Sequence, residues 1–250
     1  MNEETLSSGF FGEDITLDIY TDLKEFYTPA NGFSQLHLCR RYGKLHILKS
    51  LQPFYSSQEF YKQLLLKEFN IGYQLDHPNI RHTLGWEKND LLGNYIVLEY
   101  IDGIPLTTFI EQGKLTQPLA YKFITEICNA LQYIHSKQLI HKDLKPNNIL
   151  ITHNGNNVKL IDFGLADCDD YEILKIPAGT EKYLAPEQLN PKATLDCRTD
   201  IYSLGIIIEE LSITLKNRKL ASIAQKCTCQ DPNSRFNNTA EIIETLKSKS

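Results

Sequence analysis

His141-Lys142-Asp143-Leu144-Lys145-Pro146-Asn147-Asn148, followed 14 residues after Asn148 by Asp162-Phe163-Gly164, is the stretch on which the reading of this chain turns. It brings a carboxylate, a lysine, an amide and a second carboxylate into one short segment. Carboxylate and amide oxygens are ligands for a hard divalent cation, which in turn bridges phosphate oxygens. The lysine adds a point charge for a phosphate, and the remaining carboxylate can accept a proton. Such a set suits transfer of a phosphoryl group, where catalysis is mostly positioning and charge neutralisation.

With its flanks, the stretch resembles the catalytic loop and metal-binding motif of eukaryotic-type protein kinases, most like the serine/threonine branch, in which a lysine two residues after the aspartate is usual. The resemblance implies an α+β fold of two lobes, the first small and rich in strands, the second mostly helical. It implies ATP with Mg2+ (or Mn2+) as cofactors and a protein substrate bearing a serine or threonine hydroxyl. On this resemblance Asp143 accepts the hydroxyl proton, Lys145 touches the moving phosphate, and Asn148 and Asp162 hold the metal. Lys49 closes His46-Ile47-Leu48-Lys49, the place of the lysine that contacts the α- and β-phosphates. Glu68, ten residues before Pro78, takes the place of its glutamate partner. Leu98-Glu99-Tyr100-Ile101 resembles the gatekeeper and hinge, where backbone groups of Glu99 and Ile101 would read the adenine edge. Leu36, Ile47 and Leu150 fall at further nucleotide-contacting positions. Gly179 to Glu187 resembles the end of the activation segment. There Thr180 would touch Asp143 and Lys145, and Glu187 would pair with Arg235. Asp200 would tie the catalytic loop to the large second-lobe helix.

The chain departs from the family pattern in several places. The glycine-rich loop reads Pro29-Ala30-Asn31-Gly32-Phe33-Ser34-Gln35-Leu36, with Pro29, Asn31 and Ser34 where glycines are expected. Asn31, Gly32, Phe33 and Ser34 are the candidates for covering the phosphates. Each lost glycine costs about 1 kcal/mol of backbone fit, whereas a bound magnesium supplies several kcal/mol of charge stabilisation. Weakened nucleotide binding is therefore expected rather than none. Ile47 stands where alanine is usual above the adenine, and extra carbons in a tight slot cost about 1–3 kcal/mol. Gly72, four residues after Glu68, replaces an apolar side chain and is expected to leave its helix loosely seated. These features motivate an alternative reading, a pseudokinase acting as a nucleotide-weak binding or scaffold module. A small-molecule kinase is a third reading, opposed by Ala185-Pro186-Glu187 and its arginine partner. Lys142 replaces the arginine that usually clamps an activation-loop phosphate. Ile176 occupies a common phosphorylation position, and Asp167, Asp169, Asp170 and Glu172 crowd the loop beside Tyr171. A loop competent without phosphorylation is expected.

Composition narrows the remaining classes. The 250 residues carry a formal net charge of -5, which favours neither nucleic acid nor an anionic membrane as partner. No apolar run of about 18 residues is present, and the acidic Met1-Asn2-Glu3-Glu4 start lacks a signal-peptide core. The six cysteines are read as free thiols in a reducing cytosol, so a cytoplasmic location is expected. One kinase-like domain over residues 1–250 is expected, with a first lobe to about 98, a hinge over 99–105 and a second lobe from 106.

Alternation at Ile15, Leu17 and Ile19 predicts a strand, and residues 33–51 predict two more, broken at Tyr42-Gly43. Phe60, Leu64, Leu65, Ile71 and Leu75 predict a helix over 57–75, stopped by Asp76-His77-Pro78-Asn79. Asn94 to Tyr100 reads as a buried strand. Thr116 is the expected cap of a helix with Pro118 in its first turn and Leu119, Phe123, Ile127, Ala130, Leu131 and Ile134 along one face. Further helices are expected over Thr199–Ile213, Ala221–Cys229 and Ala240–Lys247. Only seven residues, Thr214 to Leu220, would join the first two, which points to a shortened second lobe.

Overall fold

The structure is a computed structural model that describes residues 20–29, 32–166, 181–190 and 192–248. The first lobe contains β1 (Thr21–Tyr27), β2 (Ser34–Arg41), β3 (Lys44–Leu51), helix α1 (Glu59–Tyr73), β4 (Thr83–Asn89) and β5 (Gly93–Glu99). The five strands form one antiparallel sheet in the order β1-β2-β3-β5-β4. The β2–β3 turn is made by Tyr42 and Gly43 at φ 49° and 77°. Positive φ at both central residues matches the right-handed twist of the strands it joins.

One sheet face meets α1. Ile47, Leu51, Leu65, Ile96 and Leu98 form that layer, all nearly inaccessible to solvent. Each such side chain stabilises the lobe by about 1.5–3 kcal/mol on burial. Gly72 seats the helix rather than loosening it. A Cβ on Gly72 would lie 2.4 Å from Thr83 Oγ1, so α1 and β4 approach closely only because residue 72 has no side chain. This corrects the expectation of a loosely held helix.

The second lobe comprises β6 (Gly103–Pro105), α2 (Leu106–Glu111), α3 (Gln117–Ser136), β7 (Ile149–Thr152), β8 (Val158–Leu160), α4 (Cys197–Leu215), α5 (Arg218–Cys227) and α6 (Thr239–Lys247). Its core is one continuous cluster centred on α3 and α4, including Phe123, Ile127, Leu131, Ile134, Leu204 and Ile208. The apolar face of α3 falls where its 3.6-residue period puts it. Thr116 occupies the cap position of α3, but its side chain makes no cap hydrogen bond. Its carbonyl accepts from Ala120 N–H instead.

Several boundaries differ from the sequence reading. The strand expected at Ile15–Ile19 lies outside the described residues, and β1 is a mostly exposed polar segment just after it. Gly103–Pro105, read as the end of the hinge, pairs with β7 in a three-stranded sheet of order β6-β7-β8. Helix α4 runs two residues further at each end, capped by the Asp196 carboxylate on Arg198 N–H. Lys216 then turns left-handed at φ 52°, and Asn217 caps α5 through Leu220 N–H. The join is thus two residues, not seven, because a left-handed residue and a side-chain cap reverse the chain at once.

Candidate active site

Lys49 emerges from the middle of the first sheet, its Cα paired with Leu36 of β2 and Ile96 of β5. Its Nζ lies 2.7 Å from Glu68 Oε1 on α1 and 3.2 Å from Asp162 Oδ1. Both partners of the Lys49–Glu68 pair have side chains only 6% exposed, so water screens their attraction little. Burial works against the charge on Lys49, but Asp162 and Glu68 together outweigh it and hold the ammonium protonated. Burial also opposes ionisation of Asp162. Lys49 and Arg81 overcome it and keep that carboxyl well below the usual carboxylate range. An ionised oxygen ligand is what a divalent cation needs.

Arg81 was not singled out from the sequence, where it follows Asn79-Ile80 with no motif around it. Its backbone N–H donates to the Leu160 carbonyl at 2.9 Å, which fixes it beside β8. It lines one small cavity with Asp162 and Glu68, whose negative charges, with that of Glu99, act on its guanidinium. With Gly72, Thr83, Leu98, Ile161 and Phe163 it encloses that cavity of about 10 Å³ next to Glu68. Glu68 Oε2 is buried there without a hydrogen-bond partner, in a space of the size that one water needs.

The catalytic-loop candidates converge on Asp143. Lys145 Nζ lies 2.7 and 3.0 Å from the two Asp143 carboxylate oxygens. Asn148 Nδ2 donates to Asp143 Oδ2 at 2.8 Å and to the Asp143 carbonyl at 2.9 Å. The Asn148 amide oxygen is thereby the end left to face a cation, and with the Asp162 carboxylate it makes an all-oxygen donor set that fits magnesium. Burial pushes the Asp143 carboxyl up, against the opposing charge of Lys145. A raised proton affinity suits a proton acceptor.

The loop is held from below. Asp200, fully buried on α4, accepts from His141 N–H at 2.8 Å, Lys142 N–H at 2.9 Å and, at 2.8 Å, His135 Nε2. Gln188 Nε2 donates to the Lys142 carbonyl at 3.0 Å. These bonds clamp Lys142 at φ 65°, and Asp162 stands at φ 67°. Non-glycine residues in this region cost of order 1–3 kcal/mol each and persist where surroundings over-determine them. The Asp162 carboxylate lies near enough to Asp143 to raise its proton affinity further. Thr180, the expected acceptor-pocket residue, lies outside the described residues, as do the acidic loop residues, Tyr171, Ile176 and Cys168.

At the end of the site expected to take adenine, Ile47 pairs with Leu98 across β3 and β5, and both are buried with Leu36 packed against them. The Glu99 N–H donates to the His82 carbonyl at 3.0 Å. The Glu99 side chain, unassigned from sequence, accepts from His82 N–H at 3.0 Å and from Lys159 Nζ at 3.2 Å. It fastens the hinge to β8. Ile101 is buried just beyond it, and Leu150 lies in β7 opposite Pro105. Gly32, Phe33 and Ser34 precede and begin β2, whereas Asn31 lies outside the described residues. Farther out, Arg235 grips Glu187 with two parallel bonds of 2.7 and 2.8 Å.

Comparison with known proteins gives the same assignment. The protein kinase domain family matches residues 32–218. A probable serine/threonine-protein kinase of Clostridium perfringens is 34% identical over 242 residues, covering 84% of this chain and 35% of its own length. Serine/threonine-protein kinase PrkC of Bacillus subtilis is 32% identical over 232 residues, covering 79% of this chain and 35% of its own. The chain thus spans about a third of the length of these curated relatives. The crystal structure of the Mycobacterium tuberculosis PknI kinase domain superposes with a TM-score of 0.70 at 23% identity, covering 97% of this chain and 98% of that one. At that identity the likeness is one of fold. Because the matched span runs from the end of the β1–β2 connection to beyond the end of α4 and so takes in both lobes, the chain belongs to the protein kinase family.

Proposed function

We propose that this chain transfers the γ-phosphoryl group of ATP to a serine or threonine hydroxyl of a protein. The observation that carries the reading is the unbroken set of contacts from Glu68 through Lys49 to Asp162, together with the Asp143, Lys145 and Asn148 cluster, whose charges act on Asp162 and feel it in turn. Asp143 takes the proton of the attacking hydroxyl as the new oxygen–phosphorus bond forms and the bond to the departing diphosphate breaks. Lys145 stabilises charge on the transferred group, and Lys49 orients the nucleotide's phosphates. Magnesium or manganese, when held by Asn148 and Asp162, neutralises phosphate charge. Leu36, Ile47, Leu98 and Leu150 supply the apolar walls for the base, and Thr180 belongs to the acceptor pocket.

Protein substrates rather than nucleic acid agree with the net charge of -5. A cytoplasmic site of action agrees with five free thiols among the described residues. Residues 1–250 act as one domain. A radiolabel transfer assay on generic acidic and basic proteins tests the reading. Wild-type protein labels serine or threonine and Asp143→Asn does not. Equal labelling by the two rejects it.

A further inference from the structure

Gln52 stands one residue beyond β3. Its side-chain Nε2 lies 3.1 Å from the Pro29 carbonyl oxygen, 2.7 Å from that of Gly32 and 3.4 Å from that of Ser34. Its backbone N–H donates to the Phe33 carbonyl at 2.8 Å. Gly32 N–H donates to the Pro29 carbonyl at 3.4 Å. One residue therefore gathers four carbonyls of the connection between β1 and β2. The same connection is tied to α1, since the Phe33 ring sits 5.4 Å from Tyr61, and Tyr61 sits 4.5 Å from Tyr55. Helix α1 is the element that carries Glu68.

This connection is the one from which expected glycines are missing. A glycine-rich segment settles over phosphates because its backbone is free to move, and that freedom is lost again on binding. Pro29, with its fixed φ, and Ser34 have less freedom to lose. A segment already held in one shape pays less entropy when a ligand arrives.

We propose that Gln52 is a positioning residue for the nucleotide. It collects the carbonyls of Pro29, Gly32, Phe33 and Ser34 and holds these four residues in place to cover the nucleotide, so that a hydrogen-bonded clamp replaces glycine flexibility. An amide suits the task because its nitrogen carries two donors. A carboxylate at the same place has no proton to give and faces three carbonyl oxygens. An alanine leaves those oxygens to water.

The proposal rests on the kinase reading, and its test separates the two. Affinity for ATP with magnesium is measured by titration calorimetry on wild type, Gln52→Ala and Gln52→Glu, with melting temperature alongside. KM for ATP and kcat are then measured with a protein acceptor. Gln52→Ala is expected to weaken ATP binding and raise its KM about five- to tenfold, the effect of losing one or two net hydrogen bonds. Gln52→Glu weakens binding further, while kcat stays within about twofold. If Gln52→Glu does not fold, Gln52→Leu takes its place, with the same expectation as alanine. Unchanged ATP affinity in folded variants overturns the clamp, as does a loss of kcat and melting temperature at constant affinity. Wild type that binds ATP but transfers no phosphate rejects the kinase reading, while a weakened Gln52→Ala still supports the clamp. Wild type without measurable ATP affinity overturns both.

Discussion

Gly72 and Thr83 are fitted to one another across the α1–β4 contact, with the threonine hydroxyl in the space that a side chain at 72 would occupy. Gly72→Ala is therefore expected to push α1 outward, at a cost of about 1–3 kcal/mol. That is a fall of several degrees in melting temperature for a domain of this size. Thr83→Ala removes the obstructing hydroxyl and should restore most of the loss in the double variant. Thermal denaturation of the four proteins in a double-mutant cycle measures the coupling. Additive effects would show that the two residues do not compete for space.

The Lys49–Glu68 pair makes a second prediction. Lys49→Met leaves Glu68 buried with its main counter-charge gone, so ATP affinity and phosphate transfer both fall. Asp143→Asn instead keeps the hydrogen bonds available from Asn148 and Lys145's neighbourhood, so ATP affinity is retained while transfer falls about 10²–10⁴-fold. Titration calorimetry and single-turnover kinetics distinguish the two patterns. Loss of ATP affinity in Asp143→Asn would contradict the separation of roles.

Burial raises the Asp143 carboxyl and Lys145 opposes that rise. Transfer needs Asp143 ionised, so the rate falls with decreasing pH at a pH above that of an ordinary aspartate. Lys145→Met removes the opposing charge. The acid limb of kcat/KM should then move to higher pH, whatever the drop in overall rate. A limb that stays in place or moves down would show that another group governs it.

Arg81 contributes a second cation beside Asp162 and Glu68. A metal ion at Asp162 meets this charge as repulsion. Arg81→Leu should thus lower the magnesium concentration needed for half-maximal transfer, by a few-fold, and let the Asp162 carboxyl titrate higher. Magnesium titration at fixed, saturating ATP checks it, and a higher magnesium requirement in the variant would reverse the assignment.

Arg235 has a side chain that is 0% exposed and bonds both Glu187 oxygens, as well as the carbonyls of Cys229 and Arg198. Arg235→Ala strands the Glu187 carboxylate, and breaking such a buried pair costs about 3–5 kcal/mol. Arg235→Lys keeps the charge but not the planar fork, so it should recover less than half of that loss. Chemical denaturation gives the comparison directly.

The candidate site residues sit in short contiguous runs, so the order of side chains along the chain was enough to single out Asp143, Lys145, Asn148 and Asp162 as candidates. The long helices were equally legible, because α3 and α4 repeat apolar residues at helical spacing over five turns or more. Strand β4, reading Thr83-Leu84-Gly85-Trp86-Glu87-Lys88-Asn89, carries no such period and owes its place to pairing with β5. The three-residue strands β6 and β8 are likewise too short to announce themselves. Arg81, Gln52 and the Glu99 carboxylate had no signal at all, since an arginine after an isoleucine or a glutamine after a strand is unremarkable in one dimension.

The amino-acid order alone determined which donors, acceptors and charges the chain has to offer and in what succession they come. Only the tertiary structure decided which of them meet: that Arg81 lines one cavity with Asp162, that Gln52 gathers four carbonyls with its side-chain amide and backbone N–H together, and that Thr83 occupies the space opened by Gly72. Electrostatic and packing energies depend on separation in space, over a few ångströms. Residues 80 or 110 positions apart come within that range only when the chain has folded.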